Sequence, residues 1–304
     1  MSRAVIFESF GEPEVLELKE VSEPHPGPGE VRVRVMAASL NPMDWKILSS
    51  ADLAAAFKVT LPSGFGHDLA GLVDEVGENV TAFNVGERVA GGALCGAVSD
   101  YAIVKAENLH RIPDVLDYDT ASSVPIAGMT AYAVMDTIKV KPGETVLIGG
   151  AGGGVGVFSV QLAVLAGAEV IGTCSKTTFD FVSGLGAEPV AYGPGLAERI
   201  RETYPRPIDA AADLVGTETV SAALELGVAP DRIVTIAAGT NPPGGVRATG
   251  GGNAPKEAVG HLIDLIASGK LKVPIAAKFP VEKIQEAVAM QKSGHVHGKI
   301  VVLL

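Results

Sequence analysis

TVLIGGAGGGVGVFSVQLAVLAG, residues 145–167, decides how this chain folds. An apolar strand-forming stretch breaks on a run of glycines and resumes as an apolar stretch long enough for a helix. In the G-x-G-x-x-G scheme the three key positions are Ala151, Gly153 and Gly156, because a frame one residue earlier puts Val155 where the third glycine must stand. Gly153 lets the backbone approach a pyrophosphate and Gly156 lets the helix pack close to the strand. The N–H groups at the helix start supply an anion site. No charged residue occurs from Thr145 to Ala168, a length that could span a bilayer, but seven glycines interrupt it and would cost a membrane helix its stability.

The next strand ends in EVIGTCSK, residues 169–176, the place where dinucleotide folds that select NAD carry an acidic residue for the ribose 2′-hydroxyl. Here stand Cys174, Ser175 and Lys176. A hydroxyl and an ammonium hold a 2′-phosphate, which an acidic side chain would repel, so NADPH is the expected cofactor.

Outward from this point, strands alternate with helices. DYDTASSVPIAGMTAYAVMDTI reads as a helix before the central strand; TTFDFVSGLG, PVAY, DAAADLV, TETVSAALELG and RIVTIAAG continue the alternation after it. That rhythm predicts a doubly wound parallel sheet covered on both faces. The first hundred residues differ: VRVRVMAASL alternates around Val31, Val33 and Val35, and turn-rich PHPGPGE precedes it, which predicts a small β-barrel. Near the C terminus EAVGHLIDLIASG and VEKIQEAVAMQKSG read as helices, and KIVVLL as a strand that returns to the first domain. The expected division is a catalytic domain over residues 1–118, completed by 267–304, and a cofactor domain over 119–266.

At 304 residues with 47% hydrophobic and 19% charged residues, the chain has ample core for two domains. A net charge of -11 and the lack of a basic run exclude nucleic acid and acidic membrane surfaces as expected partners. Cys95 and Cys174 alone make neither a disulfide framework nor a four-cysteine zinc site. The start MSRAVIFESFG lacks a secretion signal, which makes the cytoplasm the expected compartment.

Several segments together resemble the zinc-free quinone oxidoreductase branch of the medium-chain dehydrogenase/reductase (MDR) superfamily. They are AASLNPMDWKI at 37–47, GHDLAGLVDEVGENVTAFNVGERV at 66–89, IAGMTAYAVM at 126–135, GAGGGVG at 150–156, LGAEPVAY at 185–192 and HVHGKIVVL at 295–303. The resemblance implies a GroES-like β-barrel catalytic domain, a Rossmann cofactor domain, a cleft joining them, and homodimers formed through the edges of the Rossmann sheets. Position by position it implies that Asn41 and Thr130 lie near the nicotinamide and the cofactor phosphates. It further implies that Gly152, Gly153, Gly154 and Val155 line the pyrophosphate, and that Ser175, Lys176 and Tyr192 surround the 2′-phosphate. Zinc-containing relatives place a cysteine at position 41, histidine then glutamate at 67 and 68, and a third ligand near Ile126. Here His67 alone remains of that set, and one imidazole does not hold a catalytic zinc, so no metal is expected.

Without a Lewis acid, a conjugated acceptor is the easier target, since charge spreads to oxygen as hydride adds. The expected reaction is NADPH-dependent hydride transfer to a quinone or an α,β-unsaturated carbonyl. Asn41 is read as orienting the carboxamide or the acceptor oxygen, Lys46 as a donor to the developing oxyanion, and His67 as a pocket residue. Asp44 is read chiefly as bonding the backbone of its own loop. The alternatives are a reductase of enoyl or polyketide intermediates and a non-catalytic NADPH-binding protein.

Overall fold

In the computed structural model, which describes residues 1–239 and 241–304, the alternating valines lie on the strand Glu30–Ser39. Val31, Val33 and Val35 are buried, whereas Arg34 is exposed. This strand is the spine of a seven-stranded sheet: it pairs antiparallel with Asp68–Val76, Tyr101–Lys105 and Lys299–Leu303. A three-stranded sheet of Glu17–Val21, Ser2–Phe7 and Ser63–Gly64 accompanies it. Val5, Phe7, Leu16, Val33, Phe65, Leu69 and Val302 share one hydrophobic core. These elements belong to one unit, Met1–Ile126 with Val259–Leu304.

The second unit, Ala127–Ala258, is built on a six-stranded sheet whose neighbouring strands all run parallel. In spatial order they are Glu188–Ala191, Glu169–Cys174, Thr145–Gly149, Ala210–Asp213, Ile233–Thr235 and Arg247–Ala248. Strand Thr145–Gly149 is buried on both faces: Val146 and Ile148 pack into one apolar cluster, Leu147 into another. That two-sided burial is why the strand lacks polar alternation.

The expected helix over 117–138 is two helices, Tyr118–Ser122 and Pro125–Ile138. Pro125 has no N–H to donate, and the residue before a proline is disfavoured in the helical region, so the chain breaks and restarts on the proline. TTFDFVSGLG is likewise shorter than expected, a 3-10 turn at Lys176–Thr178 followed by the helix Phe179–Gly184. Among the described residues no helix is long and apolar enough to cross a membrane.

Candidate functional site

Strand register assembles a polar cluster in the first unit. The spine strand ends at Ser39, where Asp68 is its register partner on one side and Val301 on the other. Both neighbours run antiparallel and begin where the spine ends, so the first residues of each flank Asn41. Gly298 makes the entry of the last strand possible: its φ is +97°, and a Cβ there would lie 2.2 Å from the Pro274 carbonyl oxygen. Lys299 follows, 3% exposed, with its ammonium turned inward.

The Lys299 Nζ donates to Asn41 Oδ1 at 2.6 Å and to the Leu40 carbonyl at 3.1 Å. Asn41 Nδ2 in turn donates to Asp68 Oδ2 at 2.8 Å, and the Ile126 N–H reaches both Asp68 oxygens at 3.2 Å. An ammonium only donates and a carboxylate only accepts, so the Asn41 amide has one permitted orientation. Asn41 also precedes the helix Pro42–Ser49 and forms a capping box with Asp44, which accepts from Asn41 N–H at 2.6 Å; the other Asp44 oxygen lies 2.6 Å from His67 Nδ1.

Burial raises the Asp68 carboxyl to about 6; Lys299, the Asn41 amide and the Ile126 N–H pull it down, and Asp44 adds to the rise. Burial lowers Lys299, against the opposing charges of Asp68 and Asp44. Each group in this pair is pushed toward its neutral form by loss of water, while the partner's charge resists. For His67 burial lowers the value and is the largest contribution, but the hydrogen bond and charge of Asp44, with the charge of Asp68, carry the net shift upward.

The expected donor Lys46 is not part of this cluster. It is exposed on the helix Pro42–Ser49, its ammonium 5.8 Å from the Trp45 ring centre, which Lys292 also approaches at 5.5 Å. Aqueous exposure and an aromatic face are what hold a lysine there. The buried amine beside Asn41 is Lys299, which sequence reasoning did not single out. Its signal was a lysine opening the apolar run KIVVLL directly after a glycine. Asp44 does hold its own loop as expected, and it also anchors His67. His295 and His297 are exposed, and among the described residues no group of three or more His, Cys, Asp or Glu is placed to hold a metal.

The second unit presents the glycine turn. Strand Thr145–Gly149 lies between Glu169–Cys174 and Ala210–Asp213, so the chain winds outward in opposite directions from it. Outside the carboxyl ends of such strands doubly wound folds bind their ligands. The helix Gly156–Leu165 begins there, and a Cβ on Gly156 would meet the carbonyl oxygens of Gly150 and Ala151 at 2.2 and 2.6 Å. A Cβ on Gly153 would meet only the Gly150 oxygen, at 3.4 Å. Gly156 is thus fixed by packing, while Gly153 leaves open space where a diphosphate can approach the backbone. Gly152 is buried, and Gly153, Gly154 and Val155 are half-buried.

On the next strands Cys174 and Ala191 are register partners, which puts Ser175 and Tyr192 side by side at the end of the sheet. Ser175 is half-buried with its hydroxyl bonded to Thr177 and Thr178 at 2.8 and 3.0 Å; Lys176 is exposed and Tyr192 is 55% exposed. Thr130 is buried on the helix Pro125–Ile138. These residues fit a nicotinamide dinucleotide: a glycine cradle at a helix start, then a hydroxyl, an ammonium and an exposed ring one strand away.

Residues 27–114 match the alcohol dehydrogenase GroES-like domain family and residues 185–302 the zinc-binding dehydrogenase family. The chain is 31% identical over 343 residues to the chloroplastic quinone-oxidoreductase of Triphysaria versicolor, covering 99% of this chain and 98% of that protein. It belongs to the quinone oxidoreductase branch of the MDR superfamily. With the quinone oxidoreductase of Pseudomonas aeruginosa this branch member shares 41% identity over 179 residues, 58% of its own length and about half, 54%, of that relative's. The structure of Escherichia coli quinone oxidoreductase complexed with NADPH superposes with a TM-score of 0.87 at 26% identity, covering 100% of both chains.

Proposed function

We propose that this MDR protein is an NADPH-dependent oxidoreductase that reduces a quinone or an α,β-unsaturated carbonyl compound without zinc. The observation that carries the reading is the Lys299 ammonium seated on Asn41 and facing Asp68. One of its two matching families is named for zinc, but the donors here are not a zinc set. Position 41 offers a neutral amide whose oxygen is already bonded to a cation, Asp68 is bonded to Asn41 and Ile126, and His67 is bonded to Asp44. A divalent ion placed there would meet a buried ammonium with none of its own thiolate ligands. The residues do not fit zinc.

Ser175 and Lys176 support NADPH over NADH, and a relative of the same fold is described in complex with NADPH. A bound reduced nicotinamide supplies hydride. The chain's own contribution is to cradle the diphosphate at Gly152, Gly153, Gly154 and Val155 and to hold Asn41 in one orientation. Asn41 keeps one Nδ2 hydrogen beyond the one given to Asp68, a donor suited to a carboxamide or an acceptor oxygen. A homodimer through the sheet edge is part of the same proposal; the short edge strand Arg247–Ala248 is exposed and supports it.

The test is an acceptor panel of quinones, enones and enoyl thioesters assayed with NADPH and NADH after chelation and metal analysis. NADPH oxidation on quinones or enones by metal-free protein is the expected result. Turnover that needs stoichiometric zinc, or no cofactor consumption on any acceptor, defeats it.

A further inference from the structure

We propose that His67, held by Asp44, is the catalytic acid that delivers the proton completing the reduction. The inference rests on the oxidoreductase reading and assigns the proton, which that reading leaves without a source. His67 sits immediately before the strand Asp68–Val76 and is 9% exposed. Its Nδ1 lies 2.6 Å from Asp44 Oδ1, and a carboxylate that only accepts fixes a proton on that nitrogen. The far nitrogen, Nε2, is buried and has no hydrogen-bond partner among the described residues. No other buried side-chain atom of Asn41, Asp44, His67, Asp68 or Lys299 is left so. A buried ring nitrogen without a partner is costly unless something not part of the chain meets it. Lys46, the other candidate, is exposed against Trp45.

The charged surroundings favour the proton-bearing form. Asp44 contacts the ring, Asp68 acts on it by charge, Lys299 balances both carboxylates, and the Cys95 thiol near Asp44 is pushed by burial up to about 11 and stays neutral. With Nδ1–H committed to Asp44, the imidazolium carries its second proton on Nε2.

The balance is that of a two-electron reduction. Hydride from NADPH forms a C–H bond at the β-carbon of an enone while the C=C π bond breaks and charge moves to oxygen. His67 Nε2–H then gives its proton to the α-carbon or the oxygen; the cofactor is oxidised, the acceptor reduced, and water reprotonates the neutral imidazole. Asp44 acts through His67 and is a positioning residue.

The test combines an NMR titration of the His67 imidazole with pH–rate profiles of wild type, His67→Gln and Asp44→Asn. His67 is expected to titrate above the ordinary histidine value in the wild type and lower in Asp44→Asn. The wild-type kcat is expected to fall as pH rises through that value, and His67→Gln to lose roughly 10²- to 10⁴-fold in kcat together with that limb, with NADPH affinity unchanged. A wild type that reduces no acceptor overturns the parent reading, whatever His67 does. A wild type that turns over while His67→Gln keeps its rate and its alkaline limb overturns the proton donor alone, as does an ordinary or lowered His67 titration. Should His67→Gln not fold, Asp44→Asn decides: a limb that fails to move with the imidazole titration overturns the proposal.

Discussion

The glycine turn at 149–156 and the polar cluster around Asn41 are built by opposite means. Every part of the turn comes from one short stretch, and its shape follows from local sterics: a strand must reverse into a helix while its backbone stays bare. The cluster draws Asn41, Asp68 and Lys299 from three strands or strand ends, with Lys299 bonded across 258 positions of sequence to Asn41. Only antiparallel register brings them together. The turn therefore tolerates few changes within itself, and Thr173 of the next strand accepts from its Gly150 and Ala151 N–H groups at 3.1 Å, whereas each member of the cluster depends on partners that its own neighbours in sequence do not reveal.

Breaking the cluster at its cation gives the largest expected effect. Lys299→Ala leaves Asp68 buried without its counter-charge and should cost about 3–5 kcal/mol of stability, read by urea unfolding. The double change Lys299→Met with Asp68→Leu should cost less than that, because it removes both charges rather than stranding one. Additive losses would show that the pair is not coupled and that the contrast drawn above is wrong.

The turn is broken by volume rather than charge. Gly156→Val pushes a side chain into the Gly150 and Ala151 carbonyls, with an expected loss of about 1–3 kcal/mol and of NADPH binding by titration. Asn41 chemistry, in the other unit, should persist in the apo protein, seen as an unchanged His67 titration. The smallest effect is expected at Lys176→Ala, which should weaken NADPH roughly tenfold while leaving NADH nearly untouched. Equal weakening of both cofactors would remove Lys176 from the 2′-phosphate.

Much of the fold was legible because its signals are periodic. Alternation at Val31, Val33 and Val35 marked a half-buried strand, and strands alternating with helices marked the parallel sheet. The helix over 117–138 was misread for a local reason, Pro125, which sat in plain view but was outweighed by the apolar pattern on both sides. At the site, Asn41 and His67 were singled out and do meet through Asp44. Lys46 was read as the donor and Lys299 was not singled out; on a helix, five residues on is a different face from the cap, and Lys46 faces water.

The order of residues alone is enough for the βα turn, the missing acidic residue at the end of the following strand, and the absence of a cysteine at position 41. Each of these is a property of residues a few positions apart, where backbone sterics and side-chain chemistry act directly. Tertiary structure alone decided that a lysine from the last strand lies against that asparagine, that His67 Nε2 has no partner among the described residues, and that Asp68 and Lys299 are buried on either side of the Asn41 amide. Those are consequences of strand register, and register is set by the burial of whole sheet faces rather than by any short stretch of chain.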